Sequence, residues 1–386
     1  MPMQAFKEHV EAAIQGKKLN ALQELSFKTY KKLPEPSKKS EAFRYFPLNA
    51  LSKQLYPREN QPFLKTSFLG FESSILSINE ASQKFHSLLV NRLSQQLPKE
   101  KNPFALLTHC LAEDGLFLYL SPGEKIKEPL LIESNLVEAM GFSKVYLFLG
   151  EGAELSCQLK MKENKGFHSI VFDCQLDQNA RLNFTSDFQD NRGVFFESFR
   201  AALSSNATLS HVSLSNGAEA YHQDIEVQLL EEKAHVDLRG LAALKGKAEN
   251  HISVKVHHKA YMTTSHQHYK ALVDDEATSC FDGKIFVTPE ALLTDAYQLS
   301  NHLLLSDRAR GFSKPGLEIL ADDVKASHGA TTGQIDEAAL LYLMARGLSQ
   351  DVARHFLIQA FCSGHLEKSV CPNRMASFIE GWRSKK

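Results

Sequence analysis

The sequence predicts a mainly β chain wound as a parallel β-helix solenoid, with α-helical regions at both ends. Two observations carry that expectation. The first is a beat, Leu/Val-x-x-x-Ala, which recurs at Leu149–Ala153, Leu176–Ala180, Leu203–Ala207, Leu230–Ala234 and Val256–Ala260, with alanines 27, 27, 27 and 26 residues apart. A fixed period of this size marks stacked structural units. The second is apolar alternation between the beats, as at Leu182 and Phe184, Val236 and Leu238, Ile252, Val254 and Val256, and Leu317 and Ile319. Period-two alternation bounded by Gly, Asn, Asp and Lys is a strand signature, with one row of side chains inside and the next in water. The beat then returns at shorter steps, at Val273–Ala277, Val287–Ala291 and Leu305–Ala309. Two strands per repeat suit a flattened coil with two sheets, and the shorter steps suit half-coils. A small alanine just after each turn suits a tight corner. A jelly roll or antiparallel meander is the competing arrangement, because short strands alone do not fix topology.

The chain divides into three parts. Residues 1–95 read mainly as helix. Phe6, Val10, Ala13 and Ile14 share a helical face that ends at Gly16, and a second helix follows Asn20 as N-cap and stops before Pro34 and Pro36. The segment KKLPEPSKKSEAFRYFPLNAL reads as an ordered connector with anchors at Phe43, Tyr45 and Phe46. Residues 96–333 read as the β-helix, its first coil in DGLFLYLSPGEKIKEPLLIES. Residues 334–386 are helical again: Leu340, Leu343 and Met344 share a face, Gly347 breaks the helix, and Ser349 caps the next one with Asp351 in its first turn. Val352, Phe356 and Ala360 continue an apolar stripe that ends at Gly364. This pair of helices either caps the solenoid or offers a docking surface for a partner.

Composition narrows the function classes. The chain has 386 residues with 44 Lys+Arg against 45 Asp+Glu, so it lacks the basic footprint of a nucleic-acid binder. The opening MPMQAFKEHV has no apolar signal core and no stretch is apolar enough to span a membrane, so a soluble, cytoplasmic protein is expected. Six cysteines in so long a chain make no disulfide framework, and none forms a C-x-x-C pair. No G-x-x-x-x-G-K-[ST] loop is present, so ATP dependence would come from a partner.

Residues 314–348, KPGLEILADDVKASHGATTGQIDEAALLYLMARGL, together with SHQHYKALVDDEATSCFDGKIFVTPEALLTDAYQLSNHLLLSDRA upstream and EAFRYFPLNAL near the start, resemble the SufB/SufD family of iron–sulfur cluster assembly proteins, and its SufD branch in particular. The resemblance implies a right-handed β-helix that pairs with a SufB subunit through the β-helix ends. It also implies that the C-terminal helices dock the ATPase SufC, here through Leu340, Leu343, Met344, Arg346, Gly347, Val352 and Phe356. On this reading the chain is a non-enzymatic scaffold. It holds no stable cofactor; an iron–sulfur cluster forms transiently at the SufB contact.

His328 of ASHGAT matches the family histidine at that contact and is the candidate iron ligand; a neutral imidazole suits iron. Many relatives carry a cysteine two residues earlier, where this chain has Ala326, so the thiolate would come from SufB, or from another cysteine such as Cys280. Other clusters are weaker. Asp322 and Asp323 could pair as catalytic carboxylates, with Asp295, in a β-helix carbohydrate-active enzyme; as strand neighbours they would face opposite sides, so edge or turn residues are expected. His251, His257, His258, His266 and His268 read as solvated or stacked, although His266 and His268 share a face that could chelate metal. Cys362, His365 and Cys371 lie at loose ligand spacing. A homodimeric interaction protein without a cluster role is the remaining alternative, since an open strand edge can pair with itself.

Overall fold

The computed structural model describes residues 2–15, 17–53, 63–68, 75–112, 114–134, 136 and 138–363. From Asp114 the chain winds as a parallel β-solenoid of about seven turns, each coil giving one strand to each of two sheets. Sheet A holds β2 (Ile75–Ser77), β3 (Asp114–Leu120), β5 (Ala139–Leu149), β7 (Lys165–Leu176), β9 (Arg192–Leu203), β11 (Ala220–Leu229), β13 (Glu249–His258), β15 (Thr278–Val287) and β17 (Arg310–Ile319). Sheet B holds β1 (Leu64–Ser67), β4 (Leu130–Ser134), β6 (Glu154–Lys162), β8 (Arg181–Gln189), β10 (Thr208–Ser215), β12 (His235–Leu244), β14 (Thr264–Val273), β16 (Asp295–Leu304) and β18 (Lys325–Gly333). Two pairings are antiparallel: β1 on β4 and β2 on β3 close the first coil, one strand per sheet. At the other end the described residues provide no such cover, and β17 and β18 are the outermost strands of their sheets.

The alanine beat is one corner of the coil. Ala153, Ala180, Ala207 and Ala234 are fully buried, each directly after a left-handed residue: Gly152, Asn179, Asn206 and Lys233. Each alanine carbonyl accepts from the strand start one coil on, as Ala153 does from Arg181 and Ala180 from Thr208. The expected fifth beat, Ala260, is displaced. The left-handed residue there is Met262, and the buried corner residue is Thr263, whose carbonyl accepts from Asp295. The cause is coil length. Strand register advances 27 residues from Thr208 to His235, then 29 to Thr264 and 31 to Asp295, so the later corners carry extra residues. Ala277 and Ala309 occupy the opposite corner, which accounts for the shorter steps.

Inward rows are apolar over most coils, with Phe184, Phe199, Ile225, Val236 and Val254 all buried. Each such side chain stabilises the fold by roughly 1.5–3 kcal/mol relative to exposure. In the last coil the same alternation is laid open: Leu317 is only partly buried and Ile319 is 37% exposed, because no further coil covers them.

The N-terminal region clads the outer face of sheet A. Phe6, Val10 and Ile14 of α1 (Pro2–Gln15) are buried, with Phe6 5.1 Å from Phe167. α2 (Ala21–Lys32) starts at the expected Asn20 cap, completed into a capping box by Gln23; the proposed stop at Gly16 lies outside the described residues. α3 (Ile78–Lys84) and α4 (His86–Gln96) follow. Three elements depart from the expected division: β1 and β2 lie within the part read as mainly helix, and a helix lies within the part read as strands. Residues 103–111, within the stretch read as strands, form α5 (Pro103–Leu111), so the regular coils begin at Asp114. Asn102 caps this helix with its side chain and Pro103 occupies the first turn; every residue of α5 is buried, which hides the usual amphipathic pattern. Phe104 stacks on Phe196 at 3.5 Å.

A buried ion cluster bolts this layer down. Arg200 on β9 donates to Glu100 Oε2 (2.9 Å) and Oε1 (3.0 Å) ahead of α5, and to Asp224 Oδ2 (2.6 Å) on β11. Asn102 adds a 2.9 Å bond to Asp224.

Candidate functional site at the open end

Two surfaces converge at the uncapped end of the solenoid. The first is the edge itself. β18 is exposed along nearly all of its length, and β17 and β18 each present one row of unpaired backbone N–H and C=O groups. Such edges template pairing with another strand. His328 sits in the middle of β18 and is exposed. Its register partner is Gln298, and Ala296 pairs with Ala326. Ala296 and Gln298 belong to the inward row of β16, so His328 lies on the row that faces the lumen, at its mouth. Ala326 occupies the same row two residues away, so among the described residues this point has one imidazole and no thiolate.

Cys280 does not make up the difference. Its register neighbours are His251 and Phe312, on the outer face of sheet A, across the sheet from the lumen. Burial pushes its thiol well up, against thiolate chemistry. The connector explains its burial. Phe43 stacks on His222 at 5.2 Å, Phe46 meets His251 edge-on at 5.3 Å, and Tyr45 stacks on Phe312 of β17 at 4.3 Å. Glu41 adds an ion pair with Lys314 of the same strand. The connector thus reaches the last coil and roofs a cavity of about 490 Å³ over His251, Cys280 and Asp282.

The remaining expected clusters disperse. Asp322 and Asp323 lie on the exposed turn between β17 and β18, and Asp295 is exposed at the start of β16. His251 bonds Glu249 (3.0 Å), His257 faces Glu226 (3.2 Å) and stacks on Phe286, and His258 bonds Thr263 and Ser265. His266 contacts His235 edge-on, while His268 bonds Asn301 at 2.9 Å. Among the described residues no group of three or more His, Cys, Asp or Glu could hold a metal ion. Cys362 is buried and its thiol is pushed up to about 12 by burial, against a smaller opposing effect of Lys270; His365 and Cys371 lie outside the described residues.

The second surface is the helix pair α6 (Glu337–Ala345) and α7 (Gln350–Cys362). α7 starts at Ser349, whose side chain accepts from the Val352 N–H. Its inner face buries Ile358 and Cys362 against Val212, Leu214, Leu241 and Leu272 of sheet B. Arg354 donates to the Leu305 carbonyl (2.9 Å) and Lys270 to the Phe361 carbonyl (2.6 Å), which fastens the helix. α6 buries nothing. Leu341 is 62%, Tyr342 59%, Phe356 52% and Val352 44% exposed. Arg346 lies 5.2 Å over the Tyr342 ring, and Gly347 turns the chain with φ +95°. Of the expected docking residues, Met344, Arg346, Gly347, Val352 and Phe356 are exposed, whereas Leu340 and Leu343 are half-buried. Leu341 and Tyr342 fall within the helices expected to dock a partner but outside the single apolar stripe read there, because α6 is apolar on every side. Exposed apolar patches are found at protein and membrane interaction sites and at ligand grooves.

Comparison with known proteins agrees with this geometry. The family model described as SUF system FeS cluster assembly, SufBD core domain, matches residues 131–361. The Escherichia coli iron-sulfur cluster assembly protein SufD is 28% identical over 357 residues, covering 85% of this chain and 84% of that protein. An iron-sulfur cluster assembly SufBD family protein of Synechocystis is 32% identical over 245 residues; the match covers 62% of this chain and only 54% of the relative. The chloroplastic protein ABCI7 of Arabidopsis thaliana is 27% identical over 405 residues, covering 92% of this chain and 83% of the relative.

Proposed function

The chain belongs to the SufB/SufD family of the SUF iron–sulfur cluster assembly system, its matches including SufD, and from that premise we propose that it is a non-enzymatic scaffold subunit. It pairs with SufB through the open edges of β17 and β18 and carries SufC on α6 and α7. The observation that supports this reading most is the asymmetry of the solenoid: one end is closed by β1 and β2, while at the other the described residues leave two strand edges and the lumen mouth bare.

At that mouth His328 supplies a neutral imidazole toward iron delivered to the contact, and SufB supplies the thiolate that Ala326 lacks. The cluster is cargo, built and passed on. The helix pair is fastened to sheet B through α7, so a displacement of docked ATPases would be transmitted to β14 and β16, next to the edge. In isolation the same edges suit a homodimer.

The test is anaerobic cluster reconstitution of the assembled complex carrying His328→Ala. The complex should still assemble, while cluster yield falls by about tenfold or more, since loss of even an outer-shell partner of a ligand costs about 10–100-fold. A normal yield from an assembled His328→Ala complex would remove His328 from the site.

A further inference from the structure

One strand below His328, the interior of the coil holds a polar atom whose hydrogen bond is unmet. Register stacks Gln267, Gln298 and His328 in one inward row on β14, β16 and β18. Gln267 and Gln298 are both fully buried. Gln298 Nε2 donates to Gln267 Oε1 at 2.8 Å, which directs that nitrogen down the column, away from the mouth. Among the described residues two buried amide atoms of this column have no hydrogen-bond partner, Gln267 Nε2 and Gln298 Oε1, and of the two it is Gln298 Oε1 that lies on the strand next to β18. A buried acceptor without a donor is costly and calls for a partner. The residue next along the row toward the mouth is His328, whose ring carries a donor in every protonation state. Gly283 across the lumen makes room for the arrangement: a Cβ there would stand 2.3 Å from Gln298 Nε2.

We propose that Gln298 is a positioning residue for His328. Its carbonyl oxygen receives one imidazole N–H, which fixes the tautomer and leaves the other ring nitrogen unprotonated and aimed out of the mouth. An imidazole ligand works in the neutral form, and a bond from its second nitrogen to a fixed acceptor sets both tautomer and heading. The inference rests on the reading of His328 as the cluster-facing group and adds the residue that orients it.

The test is a double-mutant cycle on the assembled complex, read as the initial rate of anaerobic cluster formation. Gln298→Leu keeps the volume and removes the acceptor, and should slow the rate about tenfold, as expected for loss of one orienting hydrogen bond. In the His328→Ala background the same change should have no further effect, because Gln298 acts only through that ring. Gln298→Glu, held protonated by its burial, keeps a carbonyl acceptor for the imidazole and an O–H donor for Gln267 Oε1, and should stay within about twofold of the unchanged chain. Circular dichroism and co-elution with the partners establish that each variant is folded and assembled. Should Gln298→Leu fail to fold, Gln298→Met takes its place. An unchanged rate in Gln298→Leu alongside an impaired His328→Ala overturns this inference alone, as does an equal loss in both backgrounds. An unimpaired His328→Ala overturns the function reading and this inference with it.

Discussion

Replacing Arg200 with methionine should destabilise the chain by about 3–5 kcal/mol, the usual result of removing one partner from a buried ion cluster. The guanidinium is almost fully buried between Glu100 and Asp224, and it also donates to the Asp224 carbonyl at 2.7 Å. Methionine fills a similar space and meets none of these groups. Burial by itself would raise the Asp224 carboxyl; Arg200, then Lys255 and His222, outweigh it and hold the group far below the ordinary carboxylate range. With Arg200 gone, Lys255 at 3.7 Å and the Asn102 amide remain, which places the loss toward the lower end. The sign with pH follows. A carboxyl with a depressed folded pKa contributes stability above its unfolded value, near 3.9, and loses it as pH falls through the folded value. The variant should therefore lose less stability on acidification than the unchanged chain. Thermal unfolding at neutral pH should show a midpoint lower by about 4–6 °C. The triple variant Arg200→Met, Glu100→Gln, Asp224→Asn should recover much of the loss, since no charge is then left buried. A midpoint within about 2 °C of the unchanged chain, where destabilisation by several kcal/mol is expected, would refute the claim that this cluster holds the helical layer on sheet A.

Two further outcomes are expected. Leu341→Glu with Phe356→Glu should weaken SufC binding by about 30-fold or more, as for loss of a buried interface anchor, and leave thermal stability unchanged, because neither side chain packs on the chain's own core; equal binding in a calorimetric titration would reject the patch. Acid should unfold the protein early. Burial lowers His109, His168 and His258 to about 3, and burial lowers His222 and His302 to about 4. For histidines held neutral, stability is full above the unfolded value near 6.5 and falls below it, by up to about 1.4 kcal/mol per pH unit for each group. Far-ultraviolet circular dichroism should show cooperative unfolding near about pH 5, and a native spectrum at pH 4 would contradict the assignment.

The coil was legible because its period is written in one small residue type. Ala153, Ala180, Ala207 and Ala234 each follow a left-handed residue and are fully buried at a corner. The reading slipped at Ala260, where the coil lengthens and a threonine takes the corner. α5 was missed because a helix buried on all sides has no amphipathic stripe. His328 was marked by family motif, but spacing could not tell that it closes a row begun by Gln267 and Gln298 at the mouth of the coil, since register across 30 residues is a tertiary fact. The exposure of Leu341 and Tyr342 becomes visible only in the fold, where α6 meets α7 through its other side.

The central claim, that the bare end and the helix pair are assembly surfaces, is tested most directly by size-exclusion chromatography with mass detection of this chain mixed with SufB and SufC from its own organism. The account expects one stable species containing all three. A folded chain that elutes apart from both partners would contradict it.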